Sequence, residues 1–401
     1  MRRSLLVLGL LVAGGVGVAP AGSAQTRIAV LMEPGTPVVA TEILLSVGPA
    51  DEENGQAGLA NLAARSVVAP LLPVLDSLGA HLTVLPQKDA LSVSVVSAPD
   101  VWMEATRLLL EALFREPADS VLTMRERGSI ASELRGRSAN PADVAMQEID
   151  RAFFGTEHPW GRSTVGTPET VERLSFRAVD EFLRDNFTPD RAFASVVGPV
   201  EAPAALAHLQ PLLGSTFPAP VELISFQPLR SPVRREYDSI TTWIGASFLF
   251  SETADEEAVR FLAYLATADL SFSPMQRSVY NVESEVVRRI GGGEVRLQIV
   301  IPPEETEEWE ERVTDVVARL VERPMPDDVF DAHLRRYEGE RLMTLIAPED
   351  RAHAAARQLL LEGSQQQIVP DLTRMTQARV RAAAAALRDP TVVVLGPTLD
   401  N

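Results

Sequence analysis

Leu59-Ala60-Asn61-Leu62-Ala63 comes back a little over two hundred residues later as Leu262-Ala263-Tyr264-Leu265-Ala266, and this echo decides the reading of the fold. Upstream of each copy stands an acidic triplet, Asp51-Glu52-Glu53 and Asp255-Glu256-Glu257. Near the far end of each, a β-branched run is stopped by Gly-Pro: Ala194-Ser195-Val196-Val197-Gly198-Pro199 and Val392-Val393-Val394-Leu395-Gly396-Pro397. Such runs read as a strand closed by a turn. Each also follows a helix-like stretch, 175–186 and 376–387. One match could be chance, but matches in the same order at nearly the same offset mark an internal duplication.

Within the first copy, 28–32 and 38–47 read as strands around a Glu33-Pro34-Gly35 turn. Residues 56–68 are helix-like, and 91–97 alternates as a half-buried strand does. Residues 99–114 bear the stripe Val101, Ala105, Leu108, Leu109 and Ala112, which predicts a helix. In the second copy, 295–301 predicts a strand, and 305–321, 327–346 and 348–361 predict long amphipathic helices. Gly291-Gly292-Gly293 has no following helix or Lys, so it reads as a hairpin turn rather than a phosphate loop. The acid-rich 304–311 suits the solvated first turns of a helix, and the alanines of 382–386 suit a closely packed one.

The expected class is α+β: two homologous sandwich domains, each a sheet covered on one face by helices. They span 25–213, with 202–213 as a last helix, and 233–401. The segment 214–232, with Pro218, Pro220, Pro228 and Pro232, reads as the linker. A chain of 401 residues with 46% hydrophobic content has enough material for two cores.

At the N-terminus, Arg2 and Arg3 precede an apolar run over 5–19 and small residues through Ala24. This pattern predicts a secretory signal peptide over 1–24, with an uncleaved membrane anchor as the alternative. No other segment reads as long and apolar enough to span a bilayer. The expected localisation is therefore export, to a periplasm. There is no cysteine, which removes disulfides and thiolate nucleophiles. A formal charge of −18 argues against nucleic acid as a partner and against adsorption to anionic lipid.

Gly58-Leu59-Ala60, Glu126-Arg127, Ser132-Glu133-Leu134, His158-Pro159-Trp160-Gly161 and Gly166-Thr167-Pro168-Glu169, taken together, resemble motifs of the pitrilysin/insulinase zinc-protease family. Ser46-Val47-Gly48, Asp51 and Gly58-Leu59-Ala60 resemble the approach to that family's active-site helix. Glu126-Arg127, Ser132-Glu133-Leu134 and Asn140-Pro141 resemble the helix bearing the third zinc ligand. His158-Pro159-Trp160-Gly161 with Gly166-Thr167-Pro168-Glu169 is similar to a recurrent loop of the first half, and Phe187-Thr188-Pro189 closes that half in the family manner. The resemblance spans nearly the whole mature chain. It implies two copies forming a half-shell.

Where active members of that family carry His-x-x-Glu-His, this chain has Asn61, Ala64 and Arg65. An amide, a methyl group and a guanidinium supply neither zinc ligands nor a general base, and Arg65 places a fixed cation where the metal would sit. Glu133 matches the third ligand position, and its plain reading is a solvated or arginine-paired carboxylate. No catalytic residue and no metal site are therefore expected, and zinc is expected to be lost. By the same resemblance Ala80, His81, Leu82 and Thr83 lie on a cleft-lining edge strand that takes extended peptides by main-chain pairing. Arg277 and Tyr280 fall near a substrate clamp, with altered spacing. The expectation is a non-catalytic subunit that pairs with an active zinc peptidase homologue to enclose a peptide-degrading chamber. The alternatives are a stand-alone exported peptide-binding or assembly protein and, behind it, an active zinc endopeptidase with unrecognised ligands.

Overall fold

The computed structural model describes residues 27–115, 117–137, 140–214, 232–271, 279–323, 325–365 and 367–397. Residues 1–24, read above as a signal peptide, nearly all of 214–232, read as a linker, and Arg277 lie outside the described residues.

The first half runs β1 (Ile28–Met32), β2 (Val39–Leu45), α1 (Leu59–Val68), α2 (Leu72–Ser77), β3 (His81–Pro86), β4 (Leu91–Ser97), α3 (Trp102–Phe114), α4 (Ser120–Arg137), α5 (Pro141–Phe154), α6 (Pro168–Arg173), α7 (Phe176–Asn186), β5 (Ala192–Gly198) and α8 (Ala202–Leu213). The second runs β6 (Val233–Glu236), β7 (Thr242–Ser251), α9 (Glu256–Ser271), β8 (Asn281–Arg289), β9 (Gly292–Ile301), α10 (Thr306–Glu322), α11 (Asp327–Met343), α12 (Pro348–Glu362), α13 (Gln377–Ala386) and β10 (Thr391–Gly396). The sheets have the same order, β1-β5-β2-β4-β3 and β6-β10-β7-β9-β8. In each, the first and last strands pair in parallel and the remaining pairs are antiparallel. The duplication read from the sequence is a duplication of fold.

Boundaries follow local chemistry. The helix expected from 56 starts at Leu59, because Gly58 adopts φ 94° and ends the preceding turn. The glycine run at 291–293 contributes Gly291 to a tight turn with Ile290, while Gly292 and Gly293 already belong to β9.

Each sheet buries one face against its own helices. Ile43, Leu45 and Val93 meet Leu62, Leu109 and Val179 in the first half. Ile244 and Leu297 meet Leu262, Phe261 and Trp309 in the second. The other face is not open, contrary to the expectation of helices on one side. Helix α12 of the second half lies on the first sheet, setting Ala352, Ala355, Ala356 and Leu359 against Ala29, Ala40, Leu44 and Val197. Reciprocally, α5 of the first half sets Ile149 and Ala152 against Val233 and Val393. Strand β2 is consequently buried at every position, the pattern of a strand covered on both faces. Small residues permit this approach. A Cβ at Gly245 of β7 would fall 2.0 Å from Ile149 Cδ1, and Ser195 Oγ of β5 donates to the Ala352 carbonyl of α12 at 2.5 Å. The halves are interlocked by exchanged helices.

One helical run, Leu59–Ser77, is long and apolar enough to cross a membrane by length and composition. That corrects the expectation that no segment beyond the N-terminus is. Here α1 packs in the first core, with nine of its ten residues buried.

Charges fill the seam between the halves. Lys88 Nζ is 2.8 Å from Asp150 Oδ2, and Arg296 Nη2 lies 2.5 Å from Asp150 Oδ1 and 2.7 Å from Glu294 Oε1. Arg289 and Ser247 also bond Glu294. Burial would raise the Glu294 carboxyl, but the charges of Arg289 and Arg296 outweigh it and hold it at about 2. The first sheet has the same pair with its members exchanged: Ser92 Oγ donates to Glu42 Oε1 at 2.5 Å. Glu42 sits opposite Ser94 as Ser247 sits opposite Arg296, so acid and hydroxyl have changed strands between copies.

Candidate functional site

Helix α1 begins without a side-chain cap of its own, since its cap residue is Gly58. The buried Glu52 fills that role: its Oε1 accepts from Ala60 N at 2.9 Å and its Oε2 from Gly58 N at 3.3 Å. Burial pushes the Glu52 carboxyl up to about 7, against the pull of these amides and of Arg162. The Gly-Thr-Pro-Glu loop closes on the same point. A Cβ at Gly58 would stand 2.6 Å from the Val165 carbonyl, and one at Gly166 2.4 Å from the Ala57 carbonyl. Thr170 Oγ1 donates to that Ala57 carbonyl at 3.0 Å. The recurrent loop is thus a brace for α1.

The His-Pro-Trp-Gly turn is structural too. His158 is buried, its Nδ1 accepts from Trp160 N at 3.1 Å, and its ring stacks on Phe154 at 5.5 Å. Arg289 of the second half lies over the Phe154 and Trp160 rings at 5.2 and 5.5 Å.

On α1, Asn61 and Arg65 are one turn apart and share a face toward α4. Asn61 and Ala64 are buried. Arg65 reaches Glu133 with Nη1 to Oε2 at 2.8 Å and Nη2 to Oε1 at 3.1 Å. It also grips Glu126, two turns earlier on α4, with Nε and Nη2 to Oε2 at 3.1 and 2.9 Å. Ser129 Oγ donates to Glu133 Oε1 at 3.1 Å. Burial alone would lower the guanidinium, but Glu133 and Glu126 more than offset it and hold it above its ordinary value. The Arg65 hydrogen bond keeps Glu133 below the usual carboxylate range. Glu133 was anticipated from the sequence. Glu126 was singled out only as part of that helix's motif, and its role as a second partner of Arg65 was not, because spacing along one helix does not show what packs across from it.

This donor set does not fit zinc. A zinc site needs three or more nitrogen, sulfur or oxygen ligands, whereas the two carboxylates here, Glu133 and Glu126, are both committed to the Arg65 guanidinium. Among the described residues, no three His, Asp or Glu side chains are gathered as a metal site. The repeat-equivalent position is aromatic: Tyr264 stands where Asn61 does, against His333 edge-to-face at 5.9 Å, with Phe261 and Tyr337 beside it.

Strand β3 is the outer strand of the first sheet. Ala80 is buried at its start, Leu82 is half-buried, and His81 and Thr83 are exposed. Its edge contains no charged residue, while the matching edge β8 bears Glu283, Glu285, Arg288 and Arg289. Tyr280, just before β8, is 64% exposed, and its N donates to the Val300 carbonyl at 2.8 Å.

No family model matches the chain. Two curated relatives, uncharacterized zinc proteases of Mycobacterium leprae and Bacillus subtilis, are 30% and 26% identical over 22% and 23% of this chain. The match spans only 20% and 23% of those relatives' own lengths. Over the whole fold, the chain is similar to a peptidase M16 inactive domain from Pseudomonas fluorescens, with a TM-score of 0.79, 16% identity, and coverage of 93% of this chain and 96% of that one. It is also similar to the periplasmic protease PqqL of Escherichia coli, with a TM-score of 0.70 and 14% identity over 92% of this chain and 44% of that one. The fold is that of the M16 (pitrilysin/insulinase) peptidases.

Proposed function

We propose that this chain, built on the M16 peptidase fold, is a non-catalytic subunit that pairs with an active zinc peptidase homologue. The Arg65 ion pair carries this reading. Helix α1, its glutamate cap and its loop brace are all retained, while the positions for ligands and base hold an amide, a methyl group and a guanidinium. A helix kept in place with its chemistry removed suits a chain whose shape is needed. The likeness to an inactive M16 domain supports it, and that to a periplasmic protease supports export of this chain. Purification from the native source tests the pairing: a zinc peptidase with an intact His-x-x-Glu-His helix should accompany the chain, and recovery of the chain alone would refute it.

The uncharged edge of β3 favours a second role, peptide holding by the isolated chain. Exposed edges are normally protected by charge, as β8 is; β3 is left open to pair with an extended segment. Binding of an extended peptide by the isolated chain, without cleavage, is the expected result. Substitution of Thr83 by Lys should weaken it.

A further inference from the structure

We propose that Gln87, His353 and Glu42 form a proton-sensitive clasp between the two halves, holding the 86–90 turn in place while His353 is neutral. The argument rests on hydrogen-bond direction. Gln87 Nε2 lies 3.0 Å from His353 Nε2, and an amide nitrogen can only donate. The amide is not free to be read the other way round, because Arg357 Nη1 donates to Gln87 Oε1 at 3.1 Å. His353 Nε2 is therefore the acceptor, and the ring's one proton sits on Nδ1. That proton is donated to Glu42 Oε1 at 3.0 Å, where Ser92 Oγ also donates. The four groups make one directed chain: Arg357 to Gln87, Gln87 to His353, His353 to Glu42.

The chain joins three pieces of structure. Glu42 belongs to β2 and Gln87 to the β3–β4 turn of the first half, while His353 and Arg357 belong to α12 of the second. The other charged groups facing the ring are Asp350 on its own helix and Asp89 on the turn, which Arg357 Nη1 binds at 2.8 Å. The His353 side chain is about a third exposed, so its ring exchanges protons with solvent.

A second proton on the ring falls on Nε2 and sets donor against donor at Gln87. Turning the amide over relieves that clash and creates the same one at Arg357. Either way, one of the two bonds to Gln87 is lost, while the Nδ1–H bond to Glu42 is kept. The turn keeps Arg357–Asp89 and Lys88–Asp150 but loses the Gln87 amide at its β3 end, so strand β3, which ends at Pro86, is tethered less firmly. Protonation of the ring is thus expected to loosen the open edge strand without unfolding either sheet.

Nitrogen-15 spectra of the histidine side chains in the whole chain, with amide hydrogen exchange over 81–90, test this. At pH 7.5 His353 should show the Nδ1–H neutral tautomer. As the pH falls and the ring becomes doubly protonated, exchange over 81–90 should rise several-fold. In Gln87→Glu the new carboxylate accepts from both His353 and Arg357. At a pH where the parent ring is still neutral, the variant ring should be doubly protonated, with the segment remaining protected. An Nε2–H tautomer at pH 7.5 would overturn the proposal. So would exchange over 81–90 that stays constant while the parent His353 takes up its second proton.

Discussion

Arg65 and Glu133 face each other across α1 and α4 in a two-point contact, with Nη1 to Oε2 at 2.8 Å and Nη2 to Oε1 at 3.1 Å. The guanidinium thereby serves as a fixed cation that ties the two helices together. The repeat-equivalent pair of helices, α9 and α11, is tied by rings instead, Phe261 against Phe330 at 5.5 Å and Tyr337 at 5.1 Å.

Removing that cation should cost stability. Arg65→Ala strands Glu126, whose side chain is 15% exposed, more than Glu133, which is 54% exposed. The expected loss is about 1–2 kcal/mol, most of it from the less exposed partner, read from urea unfolding. A loss below the error of such a measurement would show the contact to be incidental.

Glu52 gives the fold a pH slope of known sign. Its folded carboxyl stands at about 7 against 4.5 for the free group. The folded state therefore keeps a proton that the unfolded state releases, and stability falls as pH rises from about 4.5 to 7. Glu52→Gln removes this slope. Relative to the parent, the variant should gain up to about 3 kcal/mol across that window and nothing further above it. A parallel pair of stability–pH curves would contradict the assignment.

The seam charges act at lower pH and with the opposite sign. Glu294 is held at about 2, so its contribution is present above 4.5 and lost as pH falls toward 2. Glu294→Gln leaves Arg289 and Arg296 buried without their shared anion. It should cost about 3–5 kcal/mol at neutral pH, measured by denaturant unfolding.

The exchanged helices make a steric prediction. Gly245→Ala drives a methyl group into Ile149 Cδ1 and should destabilise by about 1–3 kcal/mol. Adding Ile149→Val should recover part of that loss, and a double-mutant cycle reads the coupling. Simple additivity would mean that α5 does not rest on β7 as described.

The duplication was legible because strand and helix patterns repeat in linear order, and β4 spans 91–97 as its alternation predicts. The helix exchange was not. Hydrophobic periodicity marks which face of a helix is buried but not which sheet it meets. A trace was present: Asn140-Pro141 and Ala347-Pro348 each open a helix whose buried face includes small residues, Ala145 and Ala152 in one, Ala352, Ala355 and Ala356 in the other. The seam charges were hidden for a related reason. Lys88, Asp89 and Asp150 look like solvated surface residues until a second half is laid over them. That Asn61, Ala64 and Arg65 carry neither an imidazole nor a carboxylate was readable from residue chemistry, but the grip of Arg65 on Glu126 needed the geometry of two packed helices.

Zinc uptake by a rebuilt site tests the central claim most directly. In the triple variant Asn61→His, Ala64→Glu, Arg65→His, two imidazoles join Glu133 as ligands with one position left open. The account predicts well under one zinc per chain in the parent, close to one in the rebuilt chain, and loss of that gain on adding Glu133→Ala. Stoichiometric zinc in the parent, or a folded rebuilt chain that binds no more zinc than the parent, would contradict it.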